Sequence, residues 1–243
     1  MIPKIIHYCW FGKNKLPKDI NYFISTWKKY CPDYKIIEWN ENNFDINQNL
    51  YCKQAYEAKK WAFVSDYARL KILSEYGGIY MDTDVEVCKS FDDILSYNLL
   101  LGFESDNIIT SGVIGACKDN SCIKHLLSYY DNKCFIQNDN QYDLTENVRI
   151  ISKMLKDKYA INLNNTLQIF DNNYIIFPFE YFCAKNLMDG EIKKTENTYA
   201  IHHYNASWVS YTGKMRHLIK LILVKVFGKD FVIFLKSKIY NLK

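Results

Sequence analysis

Hydrophobic positions along this chain fall into short runs of two periods, strand-like and helix-like, in alternation. Residues 2–8, Ile-Pro-Lys-Ile-Ile-His-Tyr, predict a first buried strand that ends at Cys9-Trp10-Phe11-Gly12. Pro17 then opens a helix to about residue 30, and residues 34–39 predict a second strand ahead of a polar loop over 40–49. From about residue 61 to 76, Phe63, Tyr67, Leu70, Leu73 and Tyr76 recur at helical spacing, and Gly77-Gly78 stops the helix. An apolar strand follows at once and runs out at Asp82. Residues 85–87, 99–103 and 113–117 predict further strands, 121–130 a helix, and Thr145 the cap of another helix reaching Leu155. Strand-like pieces at 167–170, 174–177 and 199–203 complete the body. The strand–helix–strand order predicts an α/β fold whose sheet has parallel character, and no internal repeat is visible.

The glycine turn makes the next stretch the most informative of the chain. In Tyr76-Gly-Gly-Ile-Tyr-Met-Asp82-Thr-Asp84-Val-Glu86, two carboxylates one residue apart stand at the carboxyl end of a strand. Such a pair is a hard-oxygen site suited to a divalent cation that carries a phosphorylated ligand. Asp84 fits a direct metal ligand, and Asp82 a partner for a water ligand or a sugar hydroxyl. The same spacing also occurs as plain turn carboxylates, so the pair alone is weak evidence; its setting between apolar strands strengthens it.

Bulk properties change this picture little. The 243 residues suffice for one large domain with an appendage. Aromatic residues make up 16% of the chain, including 20 Tyr; ring faces suit sugar C–H groups, although an ordinary aromatic core explains the same number. Eight cysteines show no Cys-x-x-Cys pair and no zinc spacing, so reduced, mostly buried thiols are expected. No charged-then-apolar leader follows Met1, which leads to the expectation of a cytoplasmic protein.

Charge is uneven. Residues 214–243 hold eight basic residues against Asp230 alone, which leaves the preceding chain net acidic although the whole is +4. No nucleic-acid-binding module is visible, so nucleic acid is not an expected partner. Residues 215–227 and 230–240 are apolar with interleaved lysines and too short to span a bilayer. Two readings stand: basic amphipathic helices lying on an anionic membrane, at the inner face of the cell membrane, or helices packed on the domain. The organisation expected is a catalytic domain over 1–213 and a basic tail over 214–243.

Taken together, Ile-Pro-Lys-Ile-Ile-His7-x-x-Trp10, Ser65-Asp66-Tyr-Ala-Arg69, the Asp82-Thr-Asp84 run and His202-His-Tyr-Asn205-Ala-Ser207-Trp208 resemble glycosyltransferase family 32. That family includes bacterial capsule and lipopolysaccharide sugar transferases, and glucosylating toxins are more distant relatives. The resemblance covers about residues 2–209. It implies a GT-A-type, Rossmann-like nucleotide-sugar-binding fold and a Mn²⁺- or Mg²⁺-dependent transferase that retains the anomeric configuration. It further implies a UDP-sugar donor and a surface-polysaccharide or lipid-linked glycan acceptor.

Residue by residue, the resemblance makes Asp84 the principal metal ligand, with Asp82 on ribose, sugar or a metal-bound water. Asp66 and Arg69 then grip the donor sugar's hydroxyls and nearby phosphate; the alternative is a solvated intrahelical ion pair. Trp10 fits a ring stacked on the nucleotide base, and His7 a hydrogen-bonded core histidine. The resemblance favours His202 over His203 at the metal or diphosphate, since relatives follow that histidine two or three residues later with an aromatic and Asn; adjacent strand residues point to opposite sides, so the two are not expected on one ion. Asn205, Ser207 and Trp208 would close over the pyrophosphate. Residues 104–112 and 139–146 fall where acceptor loops are expected and match nothing specific. Two rivals remain at this point: a haloacid-dehalogenase-type phosphatase, whose motif Asp82-Thr-Asp84-Val mimics, and a non-catalytic carbohydrate-binding protein.

Overall fold

A computed structural model describes residues 1–186 and 189–205. The expected tail over 214–243 lies outside these residues, as do Ser207 and Trp208. Among the described residues, no helix is long and apolar enough to cross a membrane.

The chain opens with β1 (Ile5–Cys9), α1 (Lys18–Tyr30) and β2 (Lys35–Trp39). Strand β1 begins three residues later than expected. It pairs in parallel with β2, with Ile6 opposite Ile36 and Tyr8 opposite Glu38. A short helix α2 (Leu50–Glu57), absent from the sequence reading, is capped by the Asn49 side chain, which accepts from the Cys52 N–H. Helix α3 (Trp61–Tyr76) has the expected bounds and feeds β3 (Gly78–Met81), which pairs in parallel with β1 on the side away from β2.

The parallel character expected of the sheet is present in β2-β1-β3, and the rest of the sheet is mixed. Strands β5 (Leu99–Ser105), β7 (Val113–Ala116), β8 (Gln168–Phe170) and β9 (Tyr174–Phe177) complete the order β2-β1-β3-β7-β5-β9-β8. Both pairings of β7 and the β8–β9 pairing are antiparallel, whereas β5 and β9 run parallel. The β5-to-β7 connection is too short for a crossover helix. It can only form a hairpin, with β6 (Ile108–Ile109) pairing back on β5.

Alternation along the strands feeds both faces of the sheet. Leu99, Leu101 and Phe103 join Tyr80, Tyr174 and Ile176 under α2, α3, α4 (Ser121–Leu127) and α5 (Asn147–Tyr159). Leu100, Ile79, Met81, Ile175 and Phe177 point the other way, onto Ile20, Ile24 and Trp27 of α1. Helix α4 gives way to a 3-10 turn after Leu127. Helix α5 starts later than expected: Glu146 is its N-cap, because the Thr145 hydroxyl is turned onto Asp143 instead. A second, two-stranded sheet pairs β4 (Val85–Val87) antiparallel with β10 (Ala200–His202).

The glycine pair between α3 and β3 is obligatory. Gly77 has φ +65° and ψ −168°, and a Cβ there would come within 2.6 Å of the Lys118 backbone nitrogen. A Cβ on Gly78 would lie 2.7 Å from the Ile5 carbonyl and 2.9 Å from Nε2 of His7. His7 is fully buried and is a core histidine. Trp39 donates to its Nδ1 at 3.0 Å, so its Nε2 carries the proton and donates to the Gly77 carbonyl at 2.8 Å. Burial holds its pKa down at about 4, against 6.5 ordinarily. All eight cysteines are free thiols, five of them buried.

Candidate active site

The site forms where β3 stops. The Asp82 N–H donates to the Gly112 carbonyl at 2.8 Å, just past the last β3–β7 pair, and the Val85 N–H donates back to the Asp82 carbonyl at 3.1 Å. That turn puts the Asp82 and Asp84 side chains at the carboxyl edge of the parallel segment, where ligands of open α/β sheets bind.

Behind Asp82 stands Arg69, only 4% exposed. Its guanidinium meets Asp66 at 2.9 Å and Asp82 at 3.2 Å, and it donates to the Ser111 carbonyl at 2.7 Å. Its own helix contributes the Ser65 carbonyl at 3.1 Å, and its Cζ lies 4.6 Å from the centre of the Tyr80 ring. The solvated ion pair is thus ruled out: Asp66 and Arg69 are buried on the inner side of α3. Burial pushes the Asp66 carboxyl up to about 6 even though Arg69 pulls the other way. Tyr80, two residues before Asp82, donates its hydroxyl to Asp82 at 3.0 Å, a contact not expected from the sequence.

The antiparallel β4–β10 register sets His202 opposite Val85, so its ring arrives beside the paired acids. His202 Nε2 lies 3.2 Å from Asp84 Oδ1 and 3.9 Å from Asp82 Oδ2. His203 faces away, with Nε2 at 2.8 Å from Glu86 and its ring against Phe23. Burial opposes charge on His202, but the two aspartates outweigh it and hold the imidazole protonated, its pKa well above the ordinary value. Burial likewise raises Asp84, and the His202 charge with the Asn205 N–H donor at 2.7 Å overcomes this and holds its carboxyl down at about 2. The Tyr204 ring lies tilted against His202, with ring centres 4.2 Å apart. Asn205 therefore enters the site through its backbone, at Asp84.

Gly112 had no signal beyond its place before a strand in the unmatched stretch 104–112. A Cβ there would sit 2.8 Å from Nδ1 of His202 and 3.2 Å from Asp82. The missing side chain is what lets the histidine close on the acids. Glu104, also in that stretch, is largely buried; burial raises its pKa while the nearby His202 charge opposes.

Whether these groups suit a divalent cation can be judged from the donors. Two carboxylates and an imidazole converge, and Nδ1 of His202 is buried without a hydrogen-bond partner. Oxygen donors with one imidazole suit Mn²⁺ or Mg²⁺. Among the described residues no group of three or more His, Cys, Asp or Glu is placed to hold a metal ion by itself, so a cation here would need oxygens from its ligand and from water.

Trp10 follows β1, half-buried, and donates from Nε1 to the Asn14 carbonyl at 2.7 Å. It lines a polar cavity of about 410 Å³ with Lys13, Asn14, Glu38 and Asn40, at the carboxyl ends of β1 and β2.

Residues 17–101 match the family described as the glycosyltransferase sugar-binding region containing DXD motif, which takes in Asp66, Arg69, Asp82 and Asp84. The protein is a glycosyltransferase, similar to this family over that segment. A glycosyltransferase of Acanthamoeba polyphaga mimivirus, itself described as uncharacterized, is 25% identical over 202 residues, 76% of this chain and 77% of the viral one. Inositol phosphoceramide mannosyltransferase 3 of Schizosaccharomyces pombe is 30% identical over 125 residues, 48% of this chain and 34% of the yeast one. In fold, the PaToxG glycosyltransferase superposes with a TM-score of 0.50 at 20% identity, covering 65% of this chain and 69% of that one. The glycosyltransferase thus has the GT-A-type α/β architecture, and the phosphatase and non-catalytic readings fall away.

Proposed function

We propose that this glycosyltransferase moves a hexosyl or N-acetylhexosaminyl group from a UDP-sugar to a surface-polysaccharide or lipid-linked glycan, with retention of configuration, at a Mn²⁺- or Mg²⁺-dependent site. The observation that carries the reading is the convergence of Asp82, Asp84 and His202 at the end of β3, backed by the buried Arg69. Asp84 would hold the cation directly with Asp82 beside it, and His202 would join them only on giving up the proton the two aspartates hold on it. When bound, such a cation offsets charge on the departing diphosphate.

The chain's own groups supply the rest. Asp66 accepts from donor-sugar hydroxyls, and Arg69 fixes Asp66 and Asp82 in one geometry, so the reacting sugar is held against the diphosphate. The cavity beside Trp10 suits the nucleobase, with the indole as a stacking face. No side chain is assigned as a base; in a same-face reaction the leaving phosphate oxygen takes the acceptor's proton.

The test is calorimetric binding of UDP with and without Mn²⁺, and hydrolysis of UDP-glucose, UDP-galactose, UDP-N-acetylglucosamine and GDP-mannose. GDP-mannose is included because the yeast relative is named a mannosyltransferase. We expect Mn²⁺-dependent UDP binding, and for Asp84→Ala a loss of turnover on the order of 100-fold or more with a nearly unchanged melting temperature. Retained turnover in that variant would remove Asp84 from the mechanism.

A further inference from the structure

We infer that a hairpin over residues 135–143 carries a subsite for a neutral acceptor glycan of at least two sugar rings, with Tyr142 as its stacking face. The inference rests on the transferase reading above and names the acceptor class.

The hairpin is braced at its base. Phe135 is fully buried, and its N–H and that of Ile136 both donate to Oε1 of Gln54 on α2, at 2.8 and 3.1 Å. The two arms meet through an antiparallel bridge between Ile136 and Tyr142, and the Asp143 N–H donates to the Phe135 carbonyl at 2.8 Å. Asn140 turns near the tip with a φ of +61°, a conformation that asparagine tolerates. Backbone bonds thus fix Tyr142 in place, and its ring stacks on Phe135 with centres 5.2 Å apart. Even so, Tyr142 remains 42% exposed.

Beside that ring lies an open polar hollow of about 800 Å³, lined by the exposed amides of Gln137, Asn138 and Gln141 and by Asp139 and Asp143. A ring face with amides alongside supplies both halves of sugar recognition. The C–H groups of a sugar pack on the ring, and its hydroxyls exchange hydrogen bonds with the amides. Among the described residues the lining holds two acids and no base, which suits a neutral glycan and disfavours a polyanionic one. The Lys60 ammonium, 5.4 Å from the centre of the Tyr142 ring, belongs to an exposed side chain that yields to a ligand at little cost.

One face of α3 leads from this hollow to the reacting centre. Lys60 lies over Tyr142, Phe63 meets Phe135 with ring centres 5.1 Å apart, and Asp66 has Asn147 beside it. Arg69 comes next on that face and ends on Asp82. Positions three apart share a helix face, so the segment 135–147 walls α3 from its start towards the acids. From Lys60 to Asp66 the helix rises about 9 Å, more than a single sugar ring spans. An acceptor that reaches the donor from the hollow therefore needs a second ring to rest on Tyr142.

The experiment titrates the full chain with chitotetraose, cellotetraose, maltotetraose and α-1,6-mannotetraose, each beside its monosaccharide, and with tetragalacturonate. Wild type, Tyr142→Phe and Tyr142→Ala are compared, and UDP with Mn²⁺ is titrated in parallel. At least one neutral tetrasaccharide should bind wild type, more tightly than its monosaccharide and more tightly than tetragalacturonate, whose carboxylates would meet Asp139 and Asp143. Tyr142→Phe should keep that affinity, and Tyr142→Ala should lose it by roughly 3- to 10-fold at an unchanged melting temperature. If no tetrasaccharide binds, if Tyr142→Ala binds as wild type does, or if tetragalacturonate binds equally well, the subsite is overturned, while Mn²⁺-dependent UDP binding still upholds the transferase reading. If UDP does not bind and none of the four nucleotide sugars is hydrolysed, while a tetrasaccharide still separates wild type from Tyr142→Ala, the donor reading falls and the sugar-binding hollow stands.

Discussion

Arg69 bridges Asp66 and Asp82, 2.9 Å from the first and 3.2 Å from the second, and so ties helix α3 to the turn that follows β3. A helix carboxylate and a strand-end carboxylate are thereby held by one buried cation. Such a triad contributes geometry more than net stability, but removing its cation leaves two desolvated acids facing each other.

Arg69→Met should therefore destabilise the protein by about 3–5 kcal/mol, read as a lower urea midpoint at unchanged slope. Arg69→Lys should recover little of this, because an ammonium cannot span both carboxylates and the Ser111 carbonyl in one plane. A midpoint within error of wild type for Arg69→Met would show that the bridge carries nothing.

Gly112 gives the most economical probe of the site, since its backbone needs no left-handed φ and only space is at stake. An added methyl would press on the His202 ring at 2.8 Å and on Asp82 at 3.2 Å. Gly112→Ala should keep the fold, judged by circular dichroism, yet lose on the order of 100-fold in turnover as His202 is displaced from the acids. Unaltered turnover would mean that the histidine's position is not used.

His7 predicts a pH dependence of stability. Its folded-state pKa of about 4 lies below the ordinary 6.5, so on acidification the unfolded chain takes up this proton first. The stabilisation is complete above about pH 6.5 and fades as pH falls towards 4, a loss of about 3 kcal/mol. His202 and Asp66 titrate with the opposite sign, so the comparison is with His7→Gln. The wild type should lose more stability between pH 7 and 4 than the variant does; parallel curves would refute the assignment.

What the sequence determined by itself was local. Helical spacing over 61–76 gave α3 at its observed bounds, and Gly77-Gly78 marked its end because no other residue fits those φ values against Ile5 and Lys118. The Asp82-Thr-Asp84 run at the end of an apolar strand was equally legible, and so was His7 as a core residue. Helix α2 escaped notice because its start signal is a single asparagine inside an asparagine-rich loop. The mixed sheet escaped because hydrophobic alternation carries no information on strand direction. Only the tertiary structure turned Arg69 inward onto two acids, set the His202 ring 3.2 Å from Asp84, and brought Gly112 against His202 and Asp82. Those relationships depend on strand register and helix docking between residues far apart in the chain, and no periodicity of neighbouring residues encodes them.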